Sequence, residues 1–346
     1  LSSFGKKKIT DKILSIIKKY FKSTKNIIFC TTGSESVIKA IRICRALNPN
    51  KNKIAMVSGS WHGSVDQTLF FSKKNLIPIP LSSGLNDSSK KDLIILPYND
   101  IEQSKKILDK KSKDISCIIV EPITASLPLE KSKYYLKFLR KFCTKKKIIL
   151  IFDEMITGIR TDKGSVQNKF NILPDITLVG KAIGGGLPIS LILVNKKINN
   201  KISKLKKKIF FGGTYSANNY SFYSCLNTLN YIDKNKNLVK NVIDKTKLLQ
   251  EKLNTFSKKN NLDVKVYRFE SFLRIIFSKI SITNRLSRDF LERKNNKKIS
   301  HFVKFLYSKK ILYPRNGIIF MSTATTGKDL EFLTKYISIG LKKYFK

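Results

Sequence analysis

Short apolar runs and longer amphipathic stretches alternate through the first two thirds of the chain. The runs IIFCTT (27–32), KIAMV (53–57), ISCIIV (115–120), KIILIF (147–152), ITLV (176–179) and ISLILV (189–194) have strand length and lack polar alternation. Such runs predict strands buried on both faces. Segments of helical length lie between them. Thr10 to Phe21 puts Ile13, Ile16, Ile17, Tyr20 and Phe21 at helical spacing, and a helix from Ser34 to Leu47 follows the first run after a bare turn. The alternation predicts an α/β protein with a mainly parallel central sheet and helices on both faces. In that architecture ligands gather beyond the carboxyl ends of the strands, so the residues just after each run carry the chemistry.

Near residue 234 the rhythm changes. A long helix, Leu238 to Phe256, is followed by strand-like VKVYRF and FLRIIFS, a helix around Phe302 to Tyr307, the strand GIIFM and a last helix. That last helix opens with a capping-box pattern, Thr326 and Asp329, and puts Leu330, Leu333, Ile337, Leu341 and Tyr344 on one face. The expected organisation is a large domain over 1–235 and a smaller C-terminal α+β lobe over 236–346. No internal repeat is visible.

Composition narrows the class. With 346 residues and 42% hydrophobic content the chain can bury a sizeable core. Its apolar runs stop at about six residues, far short of the ~20 that span a bilayer, and LSSFGKKKIT holds no apolar signal segment. A soluble cytoplasmic protein with no membrane partner is expected, and the start at Leu1 suits a fragment. Five widely spaced cysteines without a C-x-x-C pair read as reduced core residues, and two histidines leave too little for a His-rich metal site. Neither G-x-S-x-G nor a P-loop is present. The net charge of +44 suggests nucleic acid at first sight, yet only ten of the 68 basic residues are Arg, the bidentate base reader, and the lysines are spread everywhere. No specific nucleic-acid partner is expected. The charge instead steers small anions toward the surface.

The strand ends hold the candidate chemistry. Thr31-Thr32-Gly33-Ser34-Glu35 gathers hydroxyls and backbone N–H groups at a helix start, where the macrodipole favours a phosphate, although a plain N-cap has the same look. Ser60-Trp61-His62-Gly63 contains the sole tryptophan, a flat ring suited to stacking on a flat cofactor or to the core. Glu121-Pro122 and Asp153-Glu154 end two buried runs. A carboxylate there needs a cation, either the protonated nitrogen of a pyridine ring or a lysine. Gly180-Lys181 ends another run, just ahead of three glycines; its amine suits bond formation with an aldehyde, and the alternative is a surface lysine. Phosphate, flat ring, basic ring nitrogen and aldehyde together describe pyridoxal 5'-phosphate, an electron sink for a carbanion at the α-carbon. Asp153 would keep the ring nitrogen protonated and Lys181 would move the proton.

The stretches TTGSES, WHG, IIVEP, IFDEMITGIR, PDITLVGKAIGGGLP, FGGTYSANN and MSTATTGKDLE span nearly the whole chain. They resemble the class III aminotransferases of fold type I, and within them the glutamate-1-semialdehyde 2,1-aminomutase group. The resemblance implies that Lys181 is the Schiff-base lysine and Asp153 the partner of the pyridine nitrogen. Thr32, Gly33 and Ser34 would hold the phosphate, with His62 beside the ring and Trp61 stacked on it where the family has Tyr or Phe. It also implies that Thr214 reaches the phosphate of a neighbouring subunit, in a homodimer with the active site at the subunit interface. The small-molecule substrate would be an amine or keto compound. Departures from the family bear on which one. The family's N-terminal segment precedes the point where this chain begins, Ala125-Ser126-Leu127 replaces Gly-Asn-Met, Thr325 stands for a histidine, and Gly317 falls where an acid is found. Arg315 is a candidate carboxylate anchor. The alternatives are an intermolecular aminotransferase acting on another amine, keto acid or sugar, and a truncated cofactor-binding protein without activity.

Overall fold

The computed structural model describes residues 6–73, 75–216 and 218–346. They form two compact units, the first running to Pro122 and resuming over Lys131–Asn235, the second made of Ile123–Glu130 with Lys236–Lys346.

The first unit is built on a seven-stranded sheet. In chain order its strands are β1 (Asn26–Cys30) and β2 (Lys53–Val57), then, after a small antiparallel hairpin of β3 (Phe70–Ser72) and β4 (Pro78–Pro80), β5 (Leu93–Leu96), β6 (Ile115–Val120), β7 (Ile149–Asp153), β8 (Ile176–Val179) and β9 (Ser190–Val194). The spatial order is β1-β9-β8-β7-β6-β2-β5. β2, β5, β6, β7 and β8 pair in parallel, while β9 runs antiparallel to both β1 and β8. The mainly parallel sheet expected from the sequence is therefore present, with one reversed strand. β5, an edge strand, was not among the runs that the pattern singled out.

Burial on both faces explains why the strands read as continuous apolar runs. On one face Met56, Ile119, Ile151, Leu178 and Ile192 share a core with Val37, Ile41 and Cys44 of the helix Gly33–Leu47. On the other, Val179, Leu191 and Leu193 share one with Ile13 and Ile17 of the helix Lys6–Tyr20 and with Phe222 and Leu226 of the helix Asn219–Lys234. Each such side chain stabilises the fold by roughly 1.5–3 kcal/mol relative to exposure. The strand expected at 147–152 begins later, at Ile149, because Lys147 closes the helix Ser132–Lys146 in a left-handed conformation, φ +54°. The strand also runs one residue further than expected, so Asp153 is its last residue. All five cysteines are free and buried.

The second unit holds an antiparallel sheet of β10 (Lys265–Phe269), β11 (Phe272–Ile276) and β12 (Ile318–Phe320). Helices Leu238–Lys259, Asn296–Ser308 and Gly327–Phe345 supply its core through Leu249, Leu253, Phe302, Leu306, Ile337 and Leu341. The capping box forms as the sequence predicts: Thr326 Oγ1 accepts from the Asp329 amide at 3.1 Å, and an Asp329 carboxylate oxygen accepts from the Thr326 amide at 2.8 Å. Two buried arginines, Arg274 and Arg288, both donate to the Ser126 carbonyl and fasten the 123–130 segment within this unit. Among the described residues no helix is long and apolar enough to cross a membrane, and no cluster of His, Cys, Asp or Glu has the makings of a metal site.

Candidate active site

Asp153 is 5% exposed at the end of β7, and a buried carboxylate requires a partner. That partner is an imidazole. Asp153 Oδ2 lies 2.8 Å from His62 Nδ1, and Oδ1 accepts from the Met155 amide at 3.2 Å. A carboxylate oxygen accepts, so Nδ1 is the donor of this bond and Nε2 points away from it. Nε2 is buried without a protein partner. Glu154, next along the chain, is turned to a different task. Its carboxylate accepts from the amides of Val166 (2.7 Å) and Gln167 (3.2 Å) and from Thr157 Oγ1 (2.9 Å), so it caps the short helix Val166–Phe170. The sequence set two adjacent acids at one strand end; the structure separates them by partner, Asp153 bonding an imidazole and Glu154 backbone amides.

Lys181 follows β8 as the first residue of a single 3₁₀ turn, Lys181–Gly184. Its φ of +51° lies in the left-handed region that a side chain with a Cβ rarely occupies, a strain of order 1–3 kcal/mol that the surroundings must hold. Part of the side chain reaches solvent, but burial still pushes the amine's pKa below the ordinary lysine value; Asp153 and Glu121 pull it back up, and Arg160 pushes it further down. The glycines that follow let the turn lie against the helix Asn219–Lys234. A Cβ on Gly185, itself at φ +56°, would stand 2.4 Å from Thr228 Oγ1. Ser224 Oγ of the same helix donates to the Gly184 carbonyl at 2.7 Å.

Thr32 does cap the helix Gly33–Leu47, its Oγ1 accepting from the Glu35 amide at 3.2 Å. The donors left for an anion are the amides of Gly33 and Ser34, which as first-turn residues have no intrahelical acceptor. Ser34 Oγ accepts from the Ser64 amide at 3.0 Å, and it sits only 2.4 Å from where a Cβ on Gly63 would project. Gly63 has φ +79°, so Gly63→Ala combines strain with collision. It is expected to cost on the order of 1–3 kcal/mol, read as a lower midpoint in thermal unfolding.

Trp61 is 54% exposed and does not pack in the core. Thr214 lies exposed in the 214–216 turn, outside the Asp153 cluster. The loop that carries it is anchored: Ser216 Oγ donates to Glu35 Oε1 at 2.5 Å, and the buried Lys39 ammonium donates to the Phe211 carbonyl at 2.6 Å. Arg315 is exposed in the second unit.

Two contributors escaped the sequence, and a third was read only as a strand-end acid. Met155 is the packing pivot: its Sδ lies 3.4 Å from a Cβ placed on Gly33 and 2.6 Å from one placed on Gly180, so the two glycines close around the thioether. Ser190 opens β9 opposite Cys30, and its Oγ donates to the Thr32 carbonyl at 2.6 Å. Glu121, at the end of β6, is 8% exposed and accepts from the Trp61 amide at 3.1 Å. The acid was visible in the sequence as a strand-end residue, but its backbone partner was not.

Comparison with known proteins identifies the family. Residues 2–279 match the family Aminotransferase class-III. The glutamate-1-semialdehyde 2,1-aminomutase of Fusobacterium nucleatum is 33% identical over 326 residues, 93% of this chain and 74% of that protein. The one from Wigglesworthia glossinidia brevipalpis is 37% identical over 279 residues, 78% of this chain and 62% of its own length. Among solved structures, an omega-transaminase from Sphaerobacter thermophilus superposes with a TM-score of 0.88 at 18% identity, covering 99% of this chain and 80% of that one. A glutamate-1-semialdehyde-aminomutase from Pseudomonas aeruginosa PAO1 does so with 0.85 at 17% identity, covering 98% and 76%. At such identities the structures establish the fold alone.

Proposed function

The chain belongs to the class III aminotransferases, and from that premise we propose that it catalyses pyridoxal-phosphate-dependent amino-group transfer, moving the amino group within one molecule as its relatives' name describes. One observation carries the reading: the buried Asp153–His62 pair and the amine of Lys181, its pKa lowered, stand at the ends of adjacent parallel strands.

The residues present fit the cofactor. When bound, pyridoxal phosphate supplies a cationic ring that takes up electron density as a bond at the substrate's α-carbon breaks. The chain's own groups then have separate tasks. Lys181 Nζ, its pKa lowered by burial, would hold the cofactor through its aldehyde carbon and would carry the α-proton. The Asp153 carboxylate would hold a proton on the ring nitrogen, and His62 fixes the orientation of that carboxylate by donating to it. The amides of Gly33 and Ser34, backed by the Thr32 cap, receive the phosphate. Trp61 offers its exposed indole face to the ring.

A homodimer completes the reading. Phe210, Tyr215, Tyr220 and Tyr223 are 76%, 71%, 85% and 54% exposed in one stretch of chain around Thr214. Exposed aromatics in such density mark an interaction surface, and a second copy seated there would bring Thr214 to its phosphate.

Purified protein mixed with pyridoxal phosphate should show visible absorbance that borohydride removes, and mass mapping should then place the reduced adduct on Lys181. Labelling at another lysine, or no absorbance, would overturn the proposal. Conversion of glutamate-1-semialdehyde without an added amino donor supports the intramolecular reaction. A strict requirement for a separate donor points instead to an intermolecular aminotransferase.

A further inference from the structure

Glu121 remains without a task once the cofactor groups are assigned. It stands at the carboxyl end of the wholly buried strand β6, where an idle carboxyl is a costly group to keep. Its Oε2 accepts from the Trp61 amide, so its bond holds the Ser60–Trp61 peptide, at the residue that carries the exposed indole and one residue ahead of His62, whose ring is bonded to Asp153. The side chains that act on it electrostatically come from three other elements: Asp153 from β7, His62 from the turn after β2, and Lys181 from the turn after β8.

We propose that Glu121 is a positioning residue that, through the single Trp61 amide, sets the place of both the indole and the imidazole bonded to Asp153, and couples its own charge to that of Lys181. The inference rests on the cofactor reading above for its consequence but not for its geometry. Removing the carboxylate frees the 60–63 turn from β6. Removing only its charge leaves the turn in place and alters the proton balance of the amine. Burial first, and then the neighbouring Asp153, push the Glu121 carboxyl up to about 7, against His62, the Trp61 amide and Lys181, which lower it. Its charge therefore changes close to neutral pH. An ionised Glu121 raises the proton affinity of Lys181, and a neutral one does not.

Trp61 is the only tryptophan, so its emission reports on this turn alone. The test compares the full chain with Glu121→Gln, which keeps an acceptor oxygen but no charge, and Glu121→Ala, which keeps neither. Each is measured with and without pyridoxal phosphate. The fast component of the Trp61 anisotropy decay should grow at least about two-fold in the alanine variant and stay unchanged in the glutamine variant. Wild-type emission should show a step near pH 7 that Glu121→Gln abolishes, and the pH titration of the bound cofactor's absorbance should move to lower pH in that variant. If the alanine variant does not fold, Glu121→Asp, a methylene short of the amide, takes its place with the same expected loosening. An anisotropy unchanged by shortening the side chain overturns the positioning role, and a step that persists in Glu121→Gln overturns the charge coupling. Failure of the protein to take up pyridoxal phosphate would sink the cofactor reading, while the anisotropy result would still decide the role of Glu121.

Discussion

Lys181→Ala is expected to abolish the borohydride-sensitive absorbance and to lower turnover by at least about 10³-fold, since one amine is asked both to bond the cofactor and to carry a proton. The structure makes the loss specific. Lys181 occupies a left-handed backbone position that Ala tolerates no better than Lys, so the turn keeps whatever strain it has and the fold is expected to change little. Any small change in thermal midpoint therefore separates from the large change in rate. A more informative companion is Lys181→Arg, which retains a cation but cannot lose its proton at working pH and fits neither role. It should be as inactive as the alanine variant. Retention of wild-type turnover in either variant, measured as conversion of glutamate-1-semialdehyde, would remove Lys181 from the reaction.

How far this site was legible depends on what each residue does. Asp153, Lys181 and the Thr32 to Ser34 start could be read because a polar residue that interrupts an apolar run at a strand end is costly unless it has work to do. The reading failed where function runs through backbone atoms or through direction. Ser190 lies at the beginning of its strand, and only the antiparallel placement of β9 brings that beginning beside the ends of β1 and β8. Met155 is an ordinary apolar residue until Gly33 and Gly180 close on it. His62 was legible as a site residue but not as the partner of Asp153, because a contact across 91 residues of chain depends on sheet order rather than on local pattern. The same limit applies to Glu154, whose bonds to the first amides of a short helix make it structural although it adjoins the site acid. The fold was more legible than the site for a physical reason. Burial on both faces writes itself into every residue of a strand, whereas a hydrogen bond between two turns leaves no periodic trace.

Asp153→Asn should keep the covalent attachment at Lys181 yet lower the rate constant by roughly 10²–10⁴-fold, the size expected when a preorganised charge is removed from a water-poor site. The substitution is isosteric, and an asparagine oxygen can still accept from the Met155 amide or from His62, so the turn geometry survives. What disappears is the negative charge that would hold a proton on the ring nitrogen. Two neighbours should register the loss in opposite chemical senses but the same direction on the pH axis. The Glu121 carboxyl, which Asp153 pushes up, should ionise more readily, moving the Trp61 emission step below its wild-type position near 7. The Lys181 amine, which Asp153 pulls up, should lose its proton more readily as well. A more nucleophilic lysine with a slower reaction is a combination that a general loosening of the fold does not produce. His62→Ala offers the contrast: it leaves the Asp153 carboxylate buried with one oxygen unpaired, at a cost of about 1–3 kcal/mol, so stability and rate should fall together. If Asp153→Asn left the rate constant unchanged while the cofactor stayed bound, the ring-nitrogen role would be lost, and the Asp153–His62 pair would stand as a structural contact.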